Sequence, residues 1–223
     1  MLTRLHRMDA TLDPVSRGTR SRGTLLLADI SGYTGFLQGV AEAHYELVVE
    51  AETPPPAYGL VASLLDGIVE AIVPPFRLVK FEGDAVFVVA GEGDAGVGGA
   101  ELLTLLRTCH AEFRARLDDA NERWTCDCDS CSRAYLLDLK FVLHHGDYVL
   151  QQVGRQDELL GPDVNIAHRL LKNHARDVIG ARPYALLSDA VITALGIPSL
   201  EMVAMTETYE RVPPIAVHVL PLA

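Results

Sequence analysis

The sequence predicts an α+β fold in which helices cover one face of a mainly antiparallel sheet. Three observations carry this expectation. Short apolar runs bounded by turn residues read as strands, and two of them sit back to back as a hairpin over 76–90 (FRLVKFEGDAVFVVA), turning at Glu82-Gly83. Apolar residues at helical spacing mark 60–72, and a second helix is expected over 100–121. The elements run strand, helices, hairpin, helix, strand and helix, an order that suits a sandwich of a sheet and packed helices.

Residues 1–22 hold five arginines, few apolar residues and no periodicity, so they are expected to form a flexible tail. A single domain is expected over 23–223. The run 24–29 (TLLLAD) ends in a carboxylate and reads as a buried strand with an acid at its tip. Ser31-Gly32-Tyr33-Thr34-Gly35 turns into a helix, and 52–58 (ETPPPAY) breaks a helical region. Pro74-Pro75 ends the helix at 60–72. The Gly-rich, acidic segment 91–99 lacks the Gly-Lys-Ser/Thr ending of a phosphate loop and reads as a linker. A Cys-rich insert occupies 124–133. A second hairpin, or a long bent strand pair, is expected over 136–153 around His145-Gly146-Asp147. A helix at 163–173, a strand at 184–187, a helix to Leu195 and strands near 201–209 and 215–220 complete the chain. No internal repeat is present.

Among the 223 residues, 49% are hydrophobic and 22% charged, the balance of a protein with a core. A net charge of -11 argues against a general nucleic-acid binder, which needs clustered lysine and arginine. A nucleoside triphosphate can still bind where metal ions carry the positive charge. No apolar stretch fits a membrane span, and the N-terminus lacks the apolar core of a signal peptide. Four cysteines, three of them clustered, suit a reducing compartment, so a cytoplasmic protein is expected.

Two acids stand out. Asp29 ends an apolar strand, and Asp84 starts the return strand of the hairpin. Buried strands seldom end in unpaired carboxylates, because burying charge is costly. If the strands are neighbours, the two acids converge as hard oxygen ligands suited to Mg²⁺ or Mn²⁺. The plainer reading makes each an exposed turn or cap residue. On the helix at 163–173, Asn165 and Arg169 are four apart and share a face. They could stabilise charge on a phosphoryl group, or simply form an exposed polar face.

Together these segments resemble the class III adenylate and guanylate cyclase catalytic domain. Leu27-Ala28-Asp29-Ile30-Ser31-Gly32-Tyr33-Thr34 is similar to that family's first metal-binding strand and turn. Lys80-Phe81-Glu82-Gly83-Asp84 has its Lys-x-x-Gly-Asp spacing, and the run from Gly161 to Arg169 resembles its Asn-x-x-x-Arg helix. The three motifs come in the family's order across 24–173. The resemblance implies a ferredoxin-like cyclase fold that converts a nucleoside triphosphate to the 3′,5′-cyclic monophosphate and pyrophosphate, in cyclic-nucleotide signalling. It implies two metal ions per site on Asp29, Asp84 and the Ile30 carbonyl. Lys80 and Glu158 would read the base, Asn165 would position the ribose, and Arg169 would stabilise the transition state. Gly32, Tyr33 and Thr34 would offer backbone N–H groups to the phosphates. Sites of this family form between subunits, so a homodimer with two equivalent sites is implied. Glu158 stands where adenylate cyclases usually have aspartate, and His168 is bulky for its slot. The continuation Leu170-Leu171-Lys172-Asn173 and the Cys-rich insert are closer to an uncharacterised bacterial cyclase-like branch. A catalytically silent nucleotide-binding or scaffold protein is the alternative.

Lys80 can only donate and ionised Glu158 can only accept, which matches the acceptor–donor edge of adenine and opposes that of guanine. Cytosine presents the same pair as adenine, so ATP leads and CTP stays open. In the insert, Cys126, Cys128 and Cys131 could supply three thiolates to a structural Zn²⁺, with Cys109 or His110 as the fourth ligand. Free thiols or a disulfide are the other readings. His144, His145 and Asp147 could serve a metal but read first as ordinary strand and turn residues.

Overall fold

The computed structural model describes residues 18–46, 54–92 and 98–222. Tail residues 1–17, Glu52 and Thr53 of the proline-rich break, and linker residues 93–97 lie outside the described residues. Strand β1 (Thr19–Ser31) leads into α1 (Tyr33–Ala43), and α2 (Pro56–Ile72) follows with proline in its first turn. The hairpin β2 (Arg77–Glu82) and β3 (Ala85–Gly91) precedes the long α3 (Gly99–Arg123). A short α4 (Asp129–Ser132) opens the approach to β4 (Asp138–Val153) and β5 (Gln156–Leu160). Helices α5 (Pro162–Leu170) and α6 (Ala175–Ile179) then lead to β6 (Tyr184–Ser188), α7 (Asp189–Leu195), β7 (Val203–Tyr209) and β8 (Val212–Pro221).

The strands form one sheet in the order β2-β3-β1-β4-β6-β8-β7, with β5 paired to β4. The β4–β6 pairing is parallel, and the other pairings are antiparallel. The first four strands and their connecting helices give the ferredoxin-like order β2-β3-β1-β4, as expected.

Helices cover both faces of this sheet, which corrects the expectation of one. Leu26, Ala28 and Ile30 of β1 pack against α1, α2 and α3. Leu25 and Leu27 point the other way, onto Val164, Ala167 and Leu170 of α5 and onto α6. A strand buried on both sides cannot alternate apolar and polar residues, and β1 and β3 read as unbroken apolar runs for that reason. Strand β1 also starts at Thr19, inside the expected tail, because its polar start pairs with Tyr148, Val149 and Leu150 of β4.

The expected turn around His145-Gly146-Asp147 is not a turn. Strand β4 runs through it for 16 residues, and the hairpin is β4–β5, turning after Val153. Gly146 is needed for close approach: a Cβ there would collide with the carboxyl group of Asp163 at the start of α5. That carboxylate accepts a hydrogen bond from the Asp147 N–H (2.7 Å) and lies 3.4 Å from His144 Nε2. His144 Nδ1 meets Ser188 Oγ at 2.8 Å. Strand β4 thus seats the N-terminus of α5 and fixes the face that carries Asn165 and Arg169.

Candidate functional site

Strand pairing places the two acids side by side. Asp29 sits opposite Ala85 of β3 and Lys140 of β4, and Asp84 occupies the turn just before Ala85. The Ile30 N–H donates to the Asp84 carbonyl (3.2 Å), which ties that turn to the end of β1. Both acids line a cleft of about 450 Å³ with Ile30, Gly32, Tyr33 and Thr34. Gly32 takes the left-handed conformation (φ 89°) that lets the chain turn from β1 into α1. Among the described residues no side chain caps α1, so its first N–H groups are left to the cleft they border.

Lys140 and Arg176 supply the positive charge lining this cleft. Lys140 Nζ is 3.2 Å from Asp29 Oδ1, with the two side chains 19% and 17% exposed. Burial pushes the Asp84 carboxyl up, the negative charge of Asp29 pushes it further, and Lys140 offsets only part of this. Two crowded, half-buried carboxylates beside a backbone carbonyl are a hard-oxygen set that a divalent cation would relieve, so the residues fit Mg²⁺ or Mn²⁺.

A raised pKa in the folded chain means that ionised Asp84 opposes folding above that pKa, and the penalty fades as pH falls through it. Asp84→Asn is therefore expected to melt at a higher temperature than wild type at neutral pH in chelator. The gap should close on acidification. Thermal scans showing a lower melting temperature at neutral pH would mean that the carboxylate holds structure instead.

Lys80 on β2 and Glu158 on β5 meet at 2.7 Å, and Glu82 lies 3.2 Å from the same ammonium. The hydrogen bond to Glu158 raises the Lys80 pKa against a modest burial penalty, with Glu82 adding to the rise. His168 finds room by standing edge-on to Phe87, ring centres 5.0 Å apart, and it reaches Glu82 at 2.9 Å. Glu82 thereby links Lys80 to the helix of Arg169.

Asn165 and Arg169 open on a different cleft, of about 770 Å³, together with His168, Lys172 and Arg211. Lys80 and Glu158 border a third groove. One chain therefore does not bring its acids together with Asn165 and Arg169.

The cysteines are placed differently from expectation. Cys126, Cys128 and Cys131 surround Nε2 of His44, with Sγ at 3.4, 3.3 and 3.5 Å. These four donor atoms lie within 4.8 Å of one another and could hold a metal ion. Cys109 is not among them. It sits in the buried stripe of α3 with Leu102, Leu106, Phe113 and Leu117, where burial pushes its thiol up to about 12. His110 instead contacts Asp138 at 2.9 Å. Burial pushes the Cys128 thiol up, but hydrogen bonds from the Cys131 N–H and neighbouring groups outweigh it and bring it to about 7.

Sequence reasoning missed Lys140, Arg176, Arg211 and His44. Lys140 and His44 are revealed only by register and long-range packing. Arg211 carried a weak signal, since a charged residue in the short segment between two strands marks a hairpin tip.

The architecture is that of adenylyl and guanylyl cyclase domains. The guanylyl cyclase Cya2 superposes with a TM-score of 0.60 at 17% identity, covering 93% of this chain and 100% of its own. The adenylyl cyclase CyaB from P. aeruginosa gives 0.61 at 14% identity, covering 91% and 95%. The uncharacterized protein Rv2561/Rv2562 of Mycobacterium tuberculosis is 32% identical over 165 residues, 73% of this chain and 74% of that protein. By sequence the chain belongs to the family described as protein of unknown function (DUF2652), whose model matches residues 61–178. Among the described residues, no helix is long and apolar enough to cross a membrane.

Proposed function

We propose that the chain is a cytoplasmic nucleotidyl cyclase, working as a homodimer, that converts ATP, or alternatively CTP, to the 3′,5′-cyclic monophosphate and pyrophosphate. The observation that carries this reading is the cleft in which Asp29 and Asp84 face the uncapped start of α1. Carboxylates for cations and free N–H groups for phosphate oxygens are what a metal–triphosphate needs side by side.

Asp29, Asp84 and the Ile30 carbonyl would hold two Mg²⁺ or Mn²⁺ ions. Bound there, the ions would lower the pKa of the ribose 3′-hydroxyl and neutralise the departing pyrophosphate. The N–H groups of Tyr33 and Thr34 would orient the phosphates, with Lys140 turning from Asp29 toward their oxygens. Asn165 from the second subunit would set the ribose so that its 3′-oxygen lies in line with the α-phosphorus. Attack forms the new O–P bond as the bond to the pyrophosphate oxygen breaks, and the hydroxyl proton leaves to solvent. Arg169, with Arg211 beside it, would stabilise charge spreading over the α-phosphoryl oxygens.

The Lys80–Glu158 pair offers a donor next to an acceptor, complementary to the adenine edge. Incubation with each of the four ribonucleoside triphosphates and Mn²⁺, read by mass spectrometry, is expected to give cyclic AMP or cyclic CMP. Glu158→Ala should lower kcat/KM for the preferred base about tenfold or more, because Lys80 loses the partner that aims it. Nucleotide binding without cyclic product would favour the silent alternative.

A further inference from the structure

The cluster at the far end of α1 lies outside the proposed reaction. We propose that Cys126, Cys128, Cys131 and His44 form a tetrahedral zinc site that staples the C-terminal end of α1 to the loop ahead of β4. Three sulfurs converge on one imidazole nitrogen. A single Nε2 can donate or accept one hydrogen bond, so hydrogen bonding accounts for one of these approaches and not three.

A shared cation accounts for all three. With Zn–S of about 2.3 Å and Zn–N of about 2.0–2.1 Å, tetrahedral geometry separates sulfur from nitrogen by about 3.6 Å. The separations here are 3.4, 3.3 and 3.5 Å. Three thiolates and an imidazole are a soft to borderline donor set, which selects zinc over Mg²⁺ or Mn²⁺. The Cys131 N–H donates to Cys128 Sγ (3.4 Å), as expected of a sulfur that carries negative charge.

The surrounding packing is cut to the same purpose. Helix α1 presents Gly39 to Ser130 of α4, and a Cβ on Gly39 would strike the Ser130 hydroxyl. That bare position lets α1 lie close against the short helix that carries Cys131. His44 caps the C-terminal end of α1, with its N–H bonded to the Val40 carbonyl (2.9 Å). The ligands therefore come from the last turn of one helix and from a loop more than eighty residues away. A metal joining them closes a long loop of chain and fixes the helix between its two ends.

Protein purified without added metal is expected to contain about one zinc per chain. His44→Ala and Cys128→Ser should lose it, and Cys109→Ser should keep it. Cobalt substitution of the wild-type chain needs no variant to fold, and it should give the visible absorption of a tetrahedral thiolate complex. Chelation should speed amide hydrogen exchange within α1 by about tenfold or more, and readdition of zinc should reverse this. Absence of the cobalt–thiolate absorption, a disulfide in the intact mass, or unchanged exchange in α1 after zinc removal would each overturn the proposal. None of these readouts depends on turnover, so they fail or succeed independently of the cyclase reading.

Discussion

Replacing Asp29 or Asp84 by alanine is expected to lower cyclic nucleotide formation by roughly a thousandfold or more. Metal catalysis contributes several kcal/mol to stabilising the transition state, and about 4 kcal/mol corresponds to that factor. The two variants should match in activity and differ in stability. Asp84→Ala removes a carboxylate that burial and Asp29 already disfavour, so its melting temperature should hold or rise. Asp29→Ala strands the mostly buried Lys140 ammonium and is expected to cost about 1–3 kcal/mol. Steady-state assays with Mn²⁺ and thermal scans in chelator separate the effects. Wild-type turnover in either variant removes the metal assignment.

The second large effect concerns the assembly. Asn165 and Arg169 open on a cleft different from that of Asp29 and Asp84, and the proposed function therefore places each working centre between two chains. Co-expression of inactive Asp84→Ala and Arg169→Ala chains should restore activity. A heterodimer places both lesions in one site and leaves the other whole. Random pairing makes about half the dimers mixed, each with one good site, so activity should return to roughly a quarter of wild type. If every subunit built its own centre, each would carry a lesion and nothing would return. No recovery with heterodimers present by native mass spectrometry would sink the shared-site model.

Much of the fold was legible because local signals agreed with it. The hairpin at β2–β3 had two short apolar runs with a glycine at the turn between them, and α3 carried its stripe in the sequence. Misreadings arose where a residue type served a different end. Gly146 looked like a turn residue and proved to be a point of close approach to Asp163. The unbroken run in β1 held the evidence for helices on both faces, but an apolar run of that length is also the mark of any buried strand. In the site, Asp29 and Asp84 could be found because one closes an apolar run and the other precedes one. Lys140 could not, because its nearness to Asp29 exists only through the β1–β4 register. The fourth partner of the cysteines was sought among near neighbours such as Cys109, whereas His44 is 82 residues from Cys126. Nothing local in α1 distinguishes that histidine from an ordinary cap.

The ion pair of Lys140 with Asp29 bears on the order of events in a living cell. If Asp29 holds magnesium as proposed, a lysine already seated on the acid would compete with the free ion and weaken its hold on the resting protein. A nucleotide arriving with its own magnesium brings phosphate oxygens that give the lysine a second destination. Under the proposed function, the cleft would then respond to the nucleotide complex and be buffered against swings in the ion alone. A single ammonium group would make the protein a gauge of nucleotide supply.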